Sequence, residues 1–230
     1  MDPQIEFRME DDLVLQVTQI HEQVGKPFTT MLDIGAGSGI LARAMAKNGT
    51  EMTTVELVPE LVEYAKSCSP DSITIHCGDF YTIQLQQQFD VVSYMDGFGV
   101  GTDEEQLFLL KRIAGWMKED GCALIDIYQP SYWRKVNGQE MQIDEAFRKY
   151  GYDEENERML DTWWHNDHPE DAVTQSLRCY TVEEISKLCQ KAGLKIVAIF
   201  PGGAMDYDEW NYSSLVSLNE CLAYRIKVKK

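Results

Sequence analysis

Residues 33–39 read Asp-Ile-Gly-Ala-Gly-Ser-Gly, and this glycine-rich stretch decides the fold. The apolar residues before it predict a strand over about 29–34, and a helix-spaced apolar pattern follows it and stops at Gly49. Glycine permits a positive φ and lets the backbone approach a ligand at the positive end of a helix. The stretch therefore predicts a strand, a glycine turn and a helix that bind a ligand together; a tight turn without a ligand is the alternative.

Strands and helices alternate on both sides of this turn. An amphipathic helix is expected over residues 10–24, and later strands are expected at TTVEL, residues 72–76, residues 89–95, CALIDIY and LKIVAIF. Such alternation predicts an α/β fold with a doubly wound, mostly parallel, seven-stranded sheet. The last strand, near 219–228, is expected to pair antiparallel at the end of the sheet.

The 230 residues are expected to form a single domain, 1–230, because two full domains would each be cramped. Residues 1–28 are interpreted as an N-terminal helical segment. Between 129 and 180 the alternation breaks into an aromatic-rich stretch after the fifth strand. We interpret residues 129–180 as an insertion that forms a lid over the active site.

The composition limits the partners. Lys and Arg number 21 against 38 Asp and Glu, which gives a formal net charge of −17 and should repel nucleic acid. Six cysteines without a CxxC pair argue against a disulfide framework and a zinc knuckle. Because no apolar run approaches the length of a membrane span, we expect a soluble, cytoplasmic monomer or homodimer without a membrane partner.

An acidic residue at the end of the second strand points to an adenosine-containing ligand. Glu56 lies 17 residues beyond Gly39, where its carboxylate can accept both ribose hydroxyls. A nicotinamide dinucleotide site would share this feature, but its GxGxxG fingerprint requires a glycine where this chain has Ile40. The dinucleotide is therefore the less favoured ligand.

The chain resembles the class I S-adenosylmethionine-dependent methyltransferases of the small-molecule type. DIGAGSG looks like the first motif of this family, Glu56 like its ribose-binding acid, and residues 77–80 like its adenine-binding loop. The resemblance implies a Rossmann-like methyltransferase fold and S-adenosyl-L-methionine as cofactor. It also implies that the cofactor-binding residues are Asp33, Gly35, Ala36, Gly37, Gly39, Glu56, Leu57, Asp79, Phe80 and Asp96.

The loop after the fourth strand argues against adenine in DNA or glutamine in a protein as the methyl acceptor. Family members that methylate amide or exocyclic amino nitrogens usually carry an Asn/Asp-Pro-Pro-Tyr tetrad there, whereas this chain has Met95, Asp96, Gly97 and Phe98. We expect methyl transfer to oxygen or nitrogen of a small molecule, a metabolite or natural-product intermediate. A protein or RNA methyltransferase and a non-catalytic adenosylmethionine-binding protein are the alternatives.

The insertion supplies the candidate acceptor-site residues. Methyl transfer from a sulfonium needs alignment of the acceptor and, for a hydroxyl or protonated amine, a base. His165 and His168 are the candidate catalytic bases, and no metal is expected. The candidate substrate-binding residues are Tyr132, Trp133, Trp163, Trp164 and Arg178, for which packing of the rings and structural ion pairing of the arginine are the alternatives.

Overall fold

The computed structural model describes residues 3–230, with side chains from residue 13 onward. The helices are α1 (Pro3–Val24), α2 (Ile40–Lys47), α3 (Pro59–Cys68), α4 (Asp103–Trp116), α5 (Pro130–Lys135) and α6 (Val182–Lys191). The strands are β1 (Thr30–Ile34), β2 (Glu51–Glu56), β3 (Thr74–Cys77), β4 (Phe89–Tyr94), β5 (Met117–Tyr128), β6 (Glu140–Ile143), β7 (Ala146–Asp153), β8 (Arg158–His165), β9 (His168–Arg178), β10 (Lys195–Pro201), β11 (Ala204–Asp206), β12 (Asn211–Ser213) and β13 (Ala223–Lys229). Within this range, no helix combines the length and apolar character needed to cross a bilayer.

A seven-stranded sheet has the order β10-β13-β5-β4-β1-β2-β3. The strand before the glycine turn, β1, pairs in parallel with both β2 and β4, and all five of its residues are buried. The predicted doubly wound α/β fold with seven strands is thereby confirmed. Because parallel strands end at the same edge of the sheet, the turns after β1 and β2 lie next to each other.

The last strand is not at the end of the sheet, so that expectation was wrong. β13 lies between β10 and β5, and β10 is the edge strand. The burial pattern explains the position: Tyr224, Ile226 and Val228 are fully buried, whereas β10 has no buried residue. Side chains on alternate positions of an interior strand are covered by packed layers, which an edge strand does not require.

The chain divides into two compact units, of which the first comprises the residues up to Met95 together with Lys111–Leu124 and Lys227–Lys230. Its core joins the amphipathic face of α1 to α2 and the adjoining strands; the members are Val17, Ile20, Val24, Met31, Leu41, Ala42, Met45, Met52, Ile73, Val91, Cys122 and Leu124. The predicted amphipathic stripe of the first helix is confirmed at its described positions.

The second unit comprises Asp96–Leu110 and Ile125–Ile226. Most of the stretch interpreted as an insertion forms α5 and a four-stranded antiparallel sheet in the order β6-β7-β8-β9. Its aromatic core consists of Tyr128, Tyr132, Trp133, Val136, Met141, Tyr150, Tyr152, Met159, Leu177 and Cys179. The role of residues 129–180 as a lid stays a prediction.

A capping box begins each of the helices α4 and α6. The Glu105 carboxylate accepts from the Thr102 N–H, and the Thr102 hydroxyl accepts from the Glu105 N–H. Thr181 and Glu184 form the same reciprocal pair at α6. Each box satisfies two N–H groups that the helix itself leaves without partners.

Asp90, near the start of β4, fixes the beginning of β1. One of its carboxylate oxygens, Oδ2, accepts the backbone N–H and the hydroxyl of both Thr29 and Thr30 at 2.9–3.0 Å. Lys118 donates to the other oxygen at 2.9 Å. Burial acts to raise the pKa of Asp90, but the hydrogen bonds from Lys118, Thr30 and Thr29 outweigh it and hold this pKa well below its ordinary value.

Replacement of Asp90 by Asn should lower the free energy of unfolding by about 1–3 kcal/mol at neutral pH, because donors near the sheet lose a charged acceptor. A depressed folded-state pKa stabilises the protein at pH values above the unfolded-state pKa of about 4. This stabilisation disappears as the pH falls further. Urea titrations at several pH values should therefore show the difference shrinking below about pH 4. Asp71→Asn, at an exposed position, is the control, and a pH-independent difference would contradict the account.

Candidate active site

The glycine turn leaves an open space at its centre. Gly35, Gly37 and Gly39 have φ values of 68°, 55° and 74°, a region that L side chains rarely adopt. A Cβ added at Gly35 would lie 3.1 Å from the Tyr94 ring, whereas one added at Gly37 would meet nothing within 4 Å. The turn is therefore a cradle that a side chain at Gly37 would fill.

Hydrogen bonds hold the cradle to the end of β2. The N–H groups of Gly35 and Ala36 donate to the Val55 carbonyl at 2.8 and 3.2 Å. Gly39 is the N-cap of α2 and donates to the Ala36 carbonyl at 2.9 Å. The first turn of α2 thus follows the open space, and the positive end of this helix favours a negatively charged or polar group of a ligand there.

The Glu56 carboxylate lies at the centre of these contacts. Oε2 accepts the Gly37 N–H at 2.7 Å, and Oε1 accepts the N–H groups of Leu57 and Val58 at 2.8 and 2.9 Å. A carboxylate has about four lone-pair positions, so Oε2 keeps one for a ligand. The arrangement fits one ribose hydroxyl directly, and acceptance of both would require the loss of a backbone N–H.

Asp33 is buried and participates in the sheet. The Ser93 hydroxyl donates to its Oδ1 at 2.6 Å, which ties the end of β1 to the end of β4. Beyond β2, Leu57 is 60% exposed and offers an apolar surface directly after Glu56. These positions are compatible with the cofactor roles predicted for Asp33 and Leu57, which stay predictions.

Asp79 and Phe80 form a turn after β3. The Asp79 carboxylate accepts the Tyr81 N–H at 2.7 Å, and its carbonyl accepts from Thr82 and Ile83. The centre of the Phe80 ring lies 5.4 Å from that of the Tyr94 ring, the same ring that a Cβ added at Gly35 would meet. The adenine-binding loop implied by the resemblance thus lies near the glycine turn, although Asp79 also has the structural role of closing its own turn.

Asp96, the first residue of the second unit, has a strained backbone. Its φ of 57° is unusual for a residue other than glycine, although aspartate tolerates this region better than most residues. The Tyr128 hydroxyl donates a hydrogen bond to Asp96 Oδ1. Backbone strain of this kind is concentrated at functional sites.

The charge of Asp96 lacks a cationic partner among the described residues, whereas the nearby acids have one. Asp126 is bound by Arg225 at 2.6 and 2.9 Å, and Asp161 by Arg148 at 2.9 and 2.6 Å. Asp96 is accessible to solvent, but surrounding protein removes part of its hydration and this raises its pKa. The hydrogen bond from Tyr128 and the charge of Arg148 oppose the rise, while Asp126 and Asp161 add to it.

The two candidate bases lie at the exposed turn between β8 and β9. The side chains of His165 and His168 are 46% and 62% exposed, and each lies within 3.6 Å of a glutamate. Possible ligand atoms of His168, Glu170 and Asp171 lie within 4.8 Å of one another, a cluster that spacing in the sequence did not reveal. Catalysis by either histidine stays a prediction.

The candidate substrate-binding residues occupy different environments. Tyr132 and Trp133 are 3% and 2% exposed and belong to the aromatic core, which favours the packing alternative. Trp163 is 37% exposed, and Trp164 stacks on Phe147. Arg178 lies within 4.0 Å of carboxylates of Asp103, Glu157 and Glu184, which favours structural pairing over binding of an acceptor.

Sequence reasoning missed Tyr128, Arg148 and Asp161. The rule that ligands bind beyond the carboxyl ends of strands could have identified Tyr128, the last residue of β5. The pair Arg148 and Asp161 depends on the register of β7 and β8, which places Asp161 opposite Tyr150. No pattern in either strand alone reveals that register.

Comparison with known proteins identifies the family. The profile of a family described as "Methyltransferase domain" matches residues 9–199. Because this range is most of the chain, the chain belongs to that methyltransferase family.

Two curated relatives match over shorter segments. Cypemycin N-terminal methyltransferase from a Streptomyces species is 30% identical over 112 residues, which cover 47% of this chain and 46% of that protein. Ubiquinone biosynthesis O-methyltransferase from Xanthomonas campestris is 36% identical over 58 residues, 25% of this chain and 24% of that protein. The chain thus spans less than half the length of either relative.

A solved structure extends the likeness to almost the whole chain. S-adenosylmethionine-bound CalS10, an amino pentose methyltransferase from Micromonospora echinaspora, matches with a TM-score of 0.68 at 16% identity, covering 96% of this chain and 91% of that chain. At this identity the likeness concerns the fold. The family match and the fold together define a class I S-adenosylmethionine-dependent methyltransferase, which confirms the predicted family, fold class and type of cofactor.

The open cradle can be tested with two matched glycines. Gly37→Ala should cost about 1–2 kcal/mol of stability because of its positive φ, and its methyl group should block the cofactor. Gly49 has φ 86° and equally open surroundings, so Gly49→Ala should cost similar stability without loss of binding. Calorimetric titration with S-adenosylhomocysteine should show at least a tenfold loss of affinity (~1.4 kcal/mol) for Gly37→Ala and none for Gly49→Ala. Equal affinities of the two variants would contradict the placement of the cofactor at Gly37.

Glu56→Ala should weaken S-adenosylhomocysteine binding by about 1–3 kcal/mol, because a charge-assisted acceptor is removed. Glu60→Ala, on an exposed position of the following helix, is the control. Thermal unfolding of the ligand-free proteins shows whether Glu56→Ala also destabilises the folded glycine turn, which would weaken binding indirectly. Unchanged affinity in a folded Glu56→Ala protein would show that the ribose lies elsewhere.

Proposed function

We propose that the protein transfers the methyl group of S-adenosylmethionine to the nitrogen of a small-molecule amine. The observation that carries this proposal is Asp96, an accessible carboxylate on strained backbone that lacks a cationic partner among the described residues. An amine arrives as an ammonium ion, whose charge Asp96 can balance and whose proton it can accept. A hydroxyl acceptor would also need a base, but it carries no positive charge for Asp96 to balance.

The first unit supplies the residues that would hold the cofactor. Gly37 provides the open cradle and Glu56 the remaining carboxylate lone pair, while Leu57 and the turn at Asp79 flank them along the strand ends. When bound, the cofactor supplies an electrophilic methyl group on a sulfonium. The protein therefore needs no nucleophile of its own, and its tasks are alignment and exclusion of water.

Asp96 and Tyr128 supply the acid–base chemistry. The ionised Asp96 pairs with the ammonium and takes a proton from it, which frees the nitrogen lone pair for attack on the methyl carbon. With the cofactor bound, the freed nitrogen would take its methyl group and leave neutral S-adenosylhomocysteine, and Asp96 would pass its proton to water. Burial and the charge of Asp96 raise the pKa of Tyr128, so its hydroxyl stays a donor that orients the carboxylate.

The names of similar proteins support nitrogen as the acceptor atom without deciding it. Cypemycin N-terminal methyltransferase is named for methylation of an amino terminus, and CalS10 for an amino sugar. The ubiquinone enzyme is named for methylation of oxygen. A small amine that carries polar groups agrees with the names of the cypemycin enzyme and CalS10. The strongly acidic composition of the chain disfavours nucleic acid as the acceptor.

Release of S-adenosylhomocysteine from a panel of amines, phenols and alcohols tests the proposal. We expect turnover with amines, and Asp96→Asn should lower kcat/KM by about 10²–10⁴-fold, the usual contribution of a general base. For the wild type, kcat/KM should fall as the pH drops through the raised pKa of Asp96, because the protonated acid neither binds the ammonium nor takes its proton.

The control variant is Asp144→Asn. Asp144 also has a positive φ, 53°, but lies exposed in the turn between β6 and β7. Its replacement should leave turnover unchanged. Turnover restricted to phenols or alcohols would refute the proposed acceptor. Full activity of Asp96→Asn with an amine would instead refute the proposed role of Asp96 as the base.

A further inference from the structure

The arginines of the antiparallel sheet differ in how far their donors are used. Arg158 donates to the Ser176 hydroxyl and to the carbonyls of Gly99, Gly101 and Ser176 at 2.7–3.1 Å. Arg178 is occupied by the carboxylates of Glu157 and Glu184 and by backbone carbonyls. Neither has the donors left to bind a carboxylate or carbonyl in the forked manner typical of arginine.

Arg148 is held rigidly but uses few of its donors. Its Nε and Nη2 donate to the two carboxylate oxygens of Asp161 at 2.9 and 2.6 Å. The guanidinium lies 4.7 Å from the Tyr150 ring centre and 4.4 Å from that of Trp163. In the part of the chain that the structure describes, it makes no other hydrogen bond. Of the five N–H groups of a guanidinium, three therefore remain available.

The free edge of Arg148 is accessible and belongs to the surroundings of Asp96. The Arg148 side chain is 26% exposed, whereas that of Asp161 is 6% exposed. Ring contacts connect Arg148 to Asp96: the Tyr150 ring beneath Arg148 and the Tyr128 ring both pack edge-on against Trp133. The Tyr128 hydroxyl donates to Asp96, and the charge of Arg148 lowers the pKa of that carboxyl. Ion pairing with Asp161 outweighs burial and raises the pKa of Arg148, so the guanidinium remains charged.

We propose that Arg148, oriented by Asp161 and the rings of Tyr150 and Trp163, binds a planar oxygen group, a carbonyl or a carboxylate, of the methyl acceptor. This inference rests on the proposed function, and it adds a second point of recognition to the amine site at Asp96. The acceptor is then an amine that also carries an acyl-type oxygen. Two fixed contacts would define the orientation of the acceptor nitrogen, which a single ion pair cannot do.

The immobilised side chain explains why an arginine suits this position. A free arginine loses considerable rotamer entropy when it orders around a ligand. Asp161 and the two rings have already imposed that order in the folded protein. Asp161 also balances the charge of Arg148, so the site can accept a neutral carbonyl as well as a carboxylate.

A purely structural role of the pair is the competing explanation. Arg148 and Asp161 lie on neighbouring strands of the antiparallel sheet and stabilise it whether or not a ligand binds. A loss of stability on substitution therefore does not separate the two roles. The decisive quantity is the response of the Arg148 guanidinium itself to a small oxygen ligand.

The experiment follows the arginine Nε–Hε signals of the full-length protein by NMR, in the presence of saturating S-adenosylhomocysteine. Acetate and acetamide are titrated separately, with methylammonium as a probe that has no oxygen. The Arg148 signal is assigned through its own side-chain carbons and checked with Arg148→Lys, so the assignment survives if that variant does not fold. Arg134 is the matched control, since it pairs with Glu154 and lies 4.8 Å from the Tyr152 ring.

We expect a saturable shift of the Arg148 signal with acetate, with acetamide or with both, and none with methylammonium. A response to acetate alone would identify a carboxylate, and a response to acetamide would extend the site to carbonyls. No saturable shift, or equal shifts of Arg148 and Arg134, would overturn the inference. Absence of S-adenosylhomocysteine binding in the same sample would instead overturn the proposed function.

Discussion

The three N–H groups that converge on the Glu56 carboxylate are the constraint on which the candidate cofactor site depends. They attach the glycine turn after β1 to the first residues after β2. Parallel pairing brings those two strand ends together, but pairing alone does not fix the conformation of the turn. The carboxylate does so because it is buried, and a buried charge is tolerated only when its hydrogen bonds are made. The open space at Gly37 follows from this arrangement.

Much of the fold could be predicted because it depends on local patterns. The buried strand before DIGAGSG, the glycine turn and the capping boxes at Thr102 and Thr181 are each specified by neighbouring residues. The position of β13 could not be predicted, because an alternating strand is compatible with several places in a sheet. Only the packing around Tyr224, Ile226 and Val228 determines that it lies inside.

The candidate site divides along the same line. Glu56 ends β2 and Asp79 comes two residues after β3, so both could be identified from the sequence. Arg148 and Asp161 could not be identified, because their pairing depends on the β7–β8 register. The solvent-exposed histidines were predicted as bases from their residue type alone. Two aspartates at opposite ends of β4 also differ in their environment: donors stabilise the charge of Asp90, while loss of hydration destabilises that of Asp96.

The positive φ of Asp96 restricts how this enzyme can change during evolution. Glycine and asparagine tolerate such a backbone conformation as well as aspartate does, but neither can take a proton from an amine. Glutamate and histidine could act as bases. Glutamate rarely adopts a positive φ, and histidine adopts it less readily than glycine does. Under the proposed role of Asp96, single substitutions at this position would lead mainly to inactive proteins that still bind the cofactor, and a change of acceptor chemistry would require the loop after β4 to be rebuilt.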